Sequence, residues 1–298
     1  EETDAVTGYV DGLLKRLQAK NAVPKIMATN SAVEYWWSGA SLAHTDATGN
    51  RDVEPPTDVR VYHLAGTKHG PGSLPLTDIT PEGARQQHWS NTVDYRPIQR
   101  ALLHHLDRWV RDGVTPPDSQ IPRIANGSAV RREALTDFFS SIPGMGFPAA
   151  LPIRRRLEYK TEQAETAPTY PAEENEPYGT VVSAVDSDGN EIAGIRMPDI
   201  RVPLGIHTGW TMRHPDIGGV GHFMPLQGAV VPFARTKQER QKSGDHRPSI
   251  EERYSSKEEY LDQIQRATED MIDSGHILAV DLQSIIAGAG ERWDAFTR

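Results

Sequence analysis

The chain has 298 residues, 37% hydrophobic and 24% charged, enough for one large or two modest domains with a packed core. Its net charge is −9 and its densest basic patch is the short run Arg154–Arg156, which excludes nucleic-acid binding through clustered lysine and arginine. It has no cysteine, which removes disulfides, thiol nucleophiles and thiolate metal sites.

The first residues, "EETDAVTG", are acidic and polar, unlike a signal peptide. No apolar run approaches the roughly 20 residues of a membrane span. In "GYVDGLLKRLQAK" (8 to 20), Val10, Leu13, Leu14 and Leu17 fall on one helical face, and Pro24 ends that helix. "KIMAT" (25 to 29) reads as a short buried strand. "SAVEYWWSGASLAH" (31 to 44) opens with Ser31 and Glu34, the spacing of a capping box, so a helical turn is expected there. "VRVYHLA" (59 to 65) is a second strand.

Asp94 then stands where it can cap "YRPIQRALLHHLDRWVRDG". Ile98, Leu102, Leu106 and Trp109 recur at helical spacing, Leu103 and Val110 widen the stripe, and Gly113 is a stop. Residues 1–113 therefore alternate helix and strand, the pattern of an α/β fold with parallel strands. From 114 to 180 the chain is rich in loops and proline. "TVVSAVDSDGNEIAGIR" (180 to 196) reads as a hairpin turned at Asp188–Gly189, and 200–213 has interrupted strand character. Beyond 236 the chain reads as helical, with Ser255 and Glu258 as a second capping box. Residues 114–298 are thus a hairpin-and-helix extension to the first part.

Chemistry is concentrated at two strand ends. His69 lies in a Gly-Pro loop just after the second strand, at the edge where open α/β sheets gather ligands. Glu34 follows the first strand, so the two side chains are placed to meet, and a carboxylate on imidazole Nδ1 fixes the tautomer of a general base. Asp46 is the rival acid. The ordinary readings are a surface histidine and a helix-capping glutamate.

A histidine–carboxylate pair suits activation of a serine, yet the nucleophile elbow G-x-S-x-G is absent from all 298 residues. Ser31 imitates an elbow but lacks the flanking glycines. His44, His63 and His69 lack metal-ligand spacing, and "DSDGN" (186 to 190) suits a hairpin turn better than a calcium loop. Tyr35, Trp36 and Trp210 are candidates for the wall of a substrate pocket, with the protein core as their alternative place.

The blocks "VPKIMATNSAVEYWWSGASLAHTD", "VRVYHLAGTKHGPG", "NTVDYRPIQRALLHHLDRWVRDG" and "HRPSIEERYSSKEEYL" resemble, in order and spacing, the later part of a bacterial family of alpha/beta hydrolase domain proteins. The resemblance implies a serine esterase fold with chain order Ser, acid, His. Glu34 matches the acid position and His69 the histidine position of that catalytic triad. It implies the carboxyl-terminal portion of an α/β-hydrolase sheet, its last two core strands and helices, followed by the extension. The nucleophile, the oxyanion hole and most of the sheet would then lie on an amino-terminal half carrying G-x-S-x-G, on a separate chain or removed. The expected function is hydrolysis of a small-molecule carboxylic ester with no metal or organic cofactor, the chain being inactive alone. The rival expectation is a non-catalytic structural or binding subunit of the same fold.

Overall fold

In the computed structural model, residues 2–3, 8–158 and 173–298 are described. Residues 159–172, within the stretch expected to be loop-rich, lie outside them, as do residues 1 and 4–7 of the acidic start. Two parallel strands position the site. β1 (Ile26–Ser31) and β2 (Val59–Leu64) pair in register, Ile26 opposite Val59 and Ser31 opposite Leu64. Both are rich in apolar and β-branched residues; β2 is buried over Val61–Leu64, whereas β1, expected as a buried strand, is mostly only partly buried, with Thr29 exposed.

The two outer edges of this pair differ. The far edge of β2 is covered: the N–H of His63 donates to the carbonyl of Gln120 at 2.8 Å, and the N–H of Ile195 donates to the carbonyl of His63 at 2.7 Å. The extension thus completes the ladder on that side. β1 pairs with β2 alone among the described residues. The N–H of Ile26 donates to Asp58 on the β2 side. Parallel pairing alternates, so the backbone groups of Met27, Thr29 and Ser31 point to the open edge.

Further along, β3 (Trp89–Ser90), β6 (Gly205–His207) and β7 (Ala229–Pro232) form a small antiparallel sheet, with β7 in the middle. β4 (Ala129–Val130) pairs with β5 (Val182–Ser183). The long helices are α1 (Arg96–Asp112), α2 (Lys257–Asp273) and α3 (Leu282–Thr297). Pro97 sits in the first turn of α1, and Gly113, at φ 70°, closes it in the left-handed conformation.

Two cores result, each built from both sides of residue 113. The first joins Tyr62 and Leu64 of β2 and Ile98 and Leu102 of α1 to Ile200, Ile264 of α2, and Ile285 and Phe296 of α3. The second is aromatic: Tyr35 and Trp36, just after β1, pack with Phe139, Trp210 and Phe223. Trp36 is 2% exposed and its ring meets Phe139, Phe147 and Trp210. Trp36→Ala is therefore expected to cost about 3–5 kcal/mol by opening a cavity. Urea unfolding would measure it, with a much smaller loss for Trp37→Ala, whose side chain is only partly buried.

Several sequence expectations change in the folded chain. The helix expected over 8–20 is reduced to one turn at Lys15–Gln18, and Leu13 is 96% exposed. Val10 is 42% and Leu17 37% exposed while Leu14 is only partly buried, and a helix that short is not stable without packing. Leu103 and Val110 also face outward on α1 rather than joining its buried stripe. The expected hairpin over 180–196 is a tight turn with one bridge, Val185 opposite Glu191, while β5 pairs with β4 instead. The capping box expected at Ser255 moves: Ser256 caps α2, and the two-way box is at Ser249 and Glu252. The residues of "EENEP" are a strand, Glu173–Pro177, paired with Arg155–Glu158.

Candidate active site

β1 and β2 run parallel, so the chain leaves both strands at the same end. Glu34 comes three residues after Ser31 in a wide helical turn, Glu34–Ser38, closed by Gly39 at φ 71°. His69 comes five residues after Leu64. Thr67 ties the two exits together. Its Oγ1 accepts the N–H of Ala32 at 3.2 Å, and its carbonyl accepts the N–H of Val33 at 3.2 Å.

The result is a direct pair. Nδ1 of His69 lies 2.5 Å from Oε1 of Glu34. The histidine side chain is 60% exposed and the glutamate 20%. Nε2 of His69 has no hydrogen-bond partner among the described residues. The other oxygen of Glu34 accepts the hydroxyl proton of Ser31. The backbone of His69 is fixed too: its N–H donates to the carbonyl of Leu226 at 3.2 Å, and its carbonyl accepts the hydroxyl of Tyr95. Burial, then the nearby charge of Glu34, push the Tyr95 hydroxyl up to about 12, so it stays a proton donor across the neutral range.

Thr29, Ser31, Glu34, His69, Tyr95 and Gln99 line a cleft of about 250 Å³ at the end of the strands. A carboxylate on Nδ1 with Nε2 free is the arrangement that lets imidazole take a proton from a hydroxyl and return it to a leaving group.

The other candidates are placed elsewhere. Glu34 does not act as a cap: its turn has no side-chain cap hydrogen bond, and its carboxylate serves Ser31 and His69. Asp46 closes its own turn, accepting from the Thr48 hydroxyl and from the N–H groups of Asn50 and Arg51, which hold its carboxyl below the usual range. Ser31 gives its hydroxyl to the glutamate. Tyr35, Trp36 and Trp210 are all within 2% of complete burial and belong to the aromatic core, not to the cleft wall. The three histidines diverge: His63 pairs with Glu191 at 2.8 Å, His44 with the Tyr35 hydroxyl at 2.9 Å, and His69 stands in the cleft. Among the described residues, no group of three or more His, Asp or Glu is placed to hold a metal ion. No helix there is long and apolar enough to cross a membrane.

A family model for the alpha/beta hydrolase domain matches residues 3–287. The chain belongs to the alpha/beta hydrolase domain family. The match spans nearly all of the chain, so it singles out neither a carboxyl-terminal half nor a boundary at residue 113. No curated protein and no solved structure matches the chain.

Thr67, Tyr95 and Glu191 were not legible as parts of this site. Thr67 is hidden among small loop residues, and Tyr95 reads as the start of a helix. Glu191 follows the turn residues "DSDGN" and looks like an exposed hairpin residue, yet it is 3% exposed.

Proposed function

We propose that this alpha/beta hydrolase domain supplies the acid and the histidine of a serine-type carboxylic-ester hydrolase, and that the nucleophilic serine comes from outside the 298 residues. The contact between His69 and Glu34, with Nε2 free in an open cleft, carries this reading. The edge of β1 beside that cleft, which pairs with no strand among the described residues, supports it, because exposed parallel-strand groups are satisfied when another strand adds to the sheet. The exposed Leu103 and Val110 on α1 are further apolar surface that an amino-terminal half of the fold would cover.

In the proposed reaction the serine oxygen attacks the ester carbonyl while Nε2 of His69 takes the hydroxyl proton. Glu34 holds the ring and offsets the positive charge it gains. The alkoxide leaving group departs with that proton, leaving an acyl-serine. Water attacks the acyl carbon, giving its proton to His69, which passes it to the departing serine oxygen, so that the carboxylic acid is released and the serine and neutral imidazole are restored. No cofactor takes part in these steps.

Hydrolysis of a chromogenic short-chain carboxylic ester by the complete protein tests the reading. Ser31→Ala is expected to change kcat by less than about threefold, since Ser31 only orients the carboxylate. A loss of a thousandfold or more would instead make Ser31 the nucleophile. Purified complete protein that hydrolyses no ester would favour the non-catalytic binding role.

A further inference from the structure

The loop that carries His69 begins at Gly66, and two buried side chains grip Gly66 from opposite sides. Its N–H donates to Oε2 of Glu191 at 2.7 Å. Its carbonyl accepts from Nδ2 of Asn91 at 2.7 Å. Gly66 has φ +62°, and a Cβ there would stand 2.8 Å from Cδ1 of Ile200. The position therefore needs glycine, and a glycine left ungripped is free to move.

Each gripping side chain is itself fixed. Oε2 of Glu191 also faces Nε2 of His63 at 2.8 Å, and Oε1 accepts the indole N–H of Trp36 at 3.4 Å. Asn91 Nδ2 also donates to the carbonyl of Thr208 at 3.0 Å, and its Oδ1 accepts the N–H of Val93 at 2.9 Å. Both residues are almost fully buried. A buried carboxylate is costly unless its partners compensate it, and here its partners are a residue of β2, the first residue of the His69 loop and the indole of Trp36.

We propose that Glu191 is a positioning residue for the His69–Glu34 pair: its carboxylate fixes where the loop leaves β2, with Asn91 holding the other face of Gly66. Glu191 hydrogen-bonds to neither His69 nor Glu34; it acts through the backbone at Gly66 and, by its longer bond to the Trp36 indole, on the turn that carries Glu34. His69 is three residues beyond Gly66, and displacement of the loop by about 1 Å is enough to break a short hydrogen bond and spoil a reactive geometry. The inference deepens the reading of His69 as the base and rests on it for its catalytic meaning.

The test is made by NMR on the full ¹⁵N-labelled chain, where the proton on Nδ1 of His69 and the ring's tautomer are read directly. In the wild type a downfield Nδ1–H signal and a dominant Nδ1–H tautomer are expected. Glu191→Met keeps the volume but removes the acceptor, and it is expected to lose that signal and mix the tautomers. Glu191→Gln keeps one acceptor oxygen and is expected to restore both. Ile264→Ala, in the distant helical core, is expected to destabilise the chain while leaving the signal in place.

A folded Glu191→Met protein with the wild-type His69 signal would overturn the proposal. If Glu191→Met does not fold, Glu191→Asp decides. It draws the acceptor back by one methylene, and a full His69 signal in that variant would overturn the proposal equally. A wild-type chain lacking the signal would instead sink the His69–Glu34 pairing itself. Loss of the signal in Glu191→Met, alongside ester hydrolysis indifferent to His69→Ala, would leave the positioning role standing and remove the proposed reaction.

Discussion

His69→Ala is expected to lower kcat/KM for ester hydrolysis by the complete protein about 10³- to 10⁴-fold, the usual worth of a positioned general base. That is a rise of roughly 4–5.5 kcal/mol in the barrier. The KM should move little, because in the proposed reaction the imidazole acts on the serine proton and not on ground-state substrate. Folding should be unaffected, since the side chain is 60% exposed and, among the described residues, pairs with Glu34 alone. Glu34→Gln should lose nearly as much, for a different reason. An amide oxygen still accepts from Nδ1, but the charge that offsets the imidazolium is gone. Steady-state kinetics on both variants checks this. A drop confined to KM in His69→Ala would contradict a general-base role.

The second large effect is on stability in mild acid. His44 is lowered to about 4, first by burial and then by the charge of nearby His63. His207 is likewise lowered to about 4, first by burial and then by Arg292, against an opposing pull from Asp199. Among the described residues neither ring nitrogen of His207 has a hydrogen-bond partner, and Nδ1 of His44 has none. Both are neutral in the folded chain and titrate near 6.5 when unfolded. Between pH 6.5 and 4 the unfolded chain therefore binds more protons than the native one, and stability falls with pH through that window. Above 6.5 the contribution is fully present. Each histidine accounts for up to roughly 3 kcal/mol of loss by pH 4. Asp46, also held below its ordinary value, adds its loss only at still lower pH.

Urea midpoints measured from pH 7.5 down to 4.5 should drop steeply. The slope should be shallower in His207→Met, whatever that change does to stability at neutral pH. A midpoint constant over this range would contradict the neutral, buried state of these rings.

The site's two principal residues were legible because each sits at the end of a strand whose composition announces it. "KIMAT" and "VRVYHLA" are short apolar runs bounded by turn residues, and both are strands within a residue or two of expectation. With two parallel strands in place, their exits share one end, and Glu34 and His69 meet without further information. The α1 stripe was equally local: Ile98, Leu102 and Trp109 are buried as their spacing implies.

What failed to show was long-range. The face of 8–20 has helical periodicity, but periodicity does not supply a surface to pack against. Trp36 and Trp210 are 174 positions apart in a sequence that gives no hint they meet in one core; the same aromatic character suits a pocket wall as well. Glu191 is 125 residues from the glycine it holds, and no pattern in "DSDGNEIAG" distinguishes a buried carboxylate from a solvated one. The extension reads as an appendage. In the folded chain it closes one edge of β2 and grips the start of the histidine loop.

The most direct test of the central claim is mass spectrometry of the complete protein after reaction with a fluorophosphonate, which traps an activated serine. The account predicts one label on a serine outside these 298 residues, within a G-x-S-x-G segment, with labelling abolished by His69→Ala. A label mapped to Ser31, or labelling that survives His69→Ala at its full rate, would contradict it.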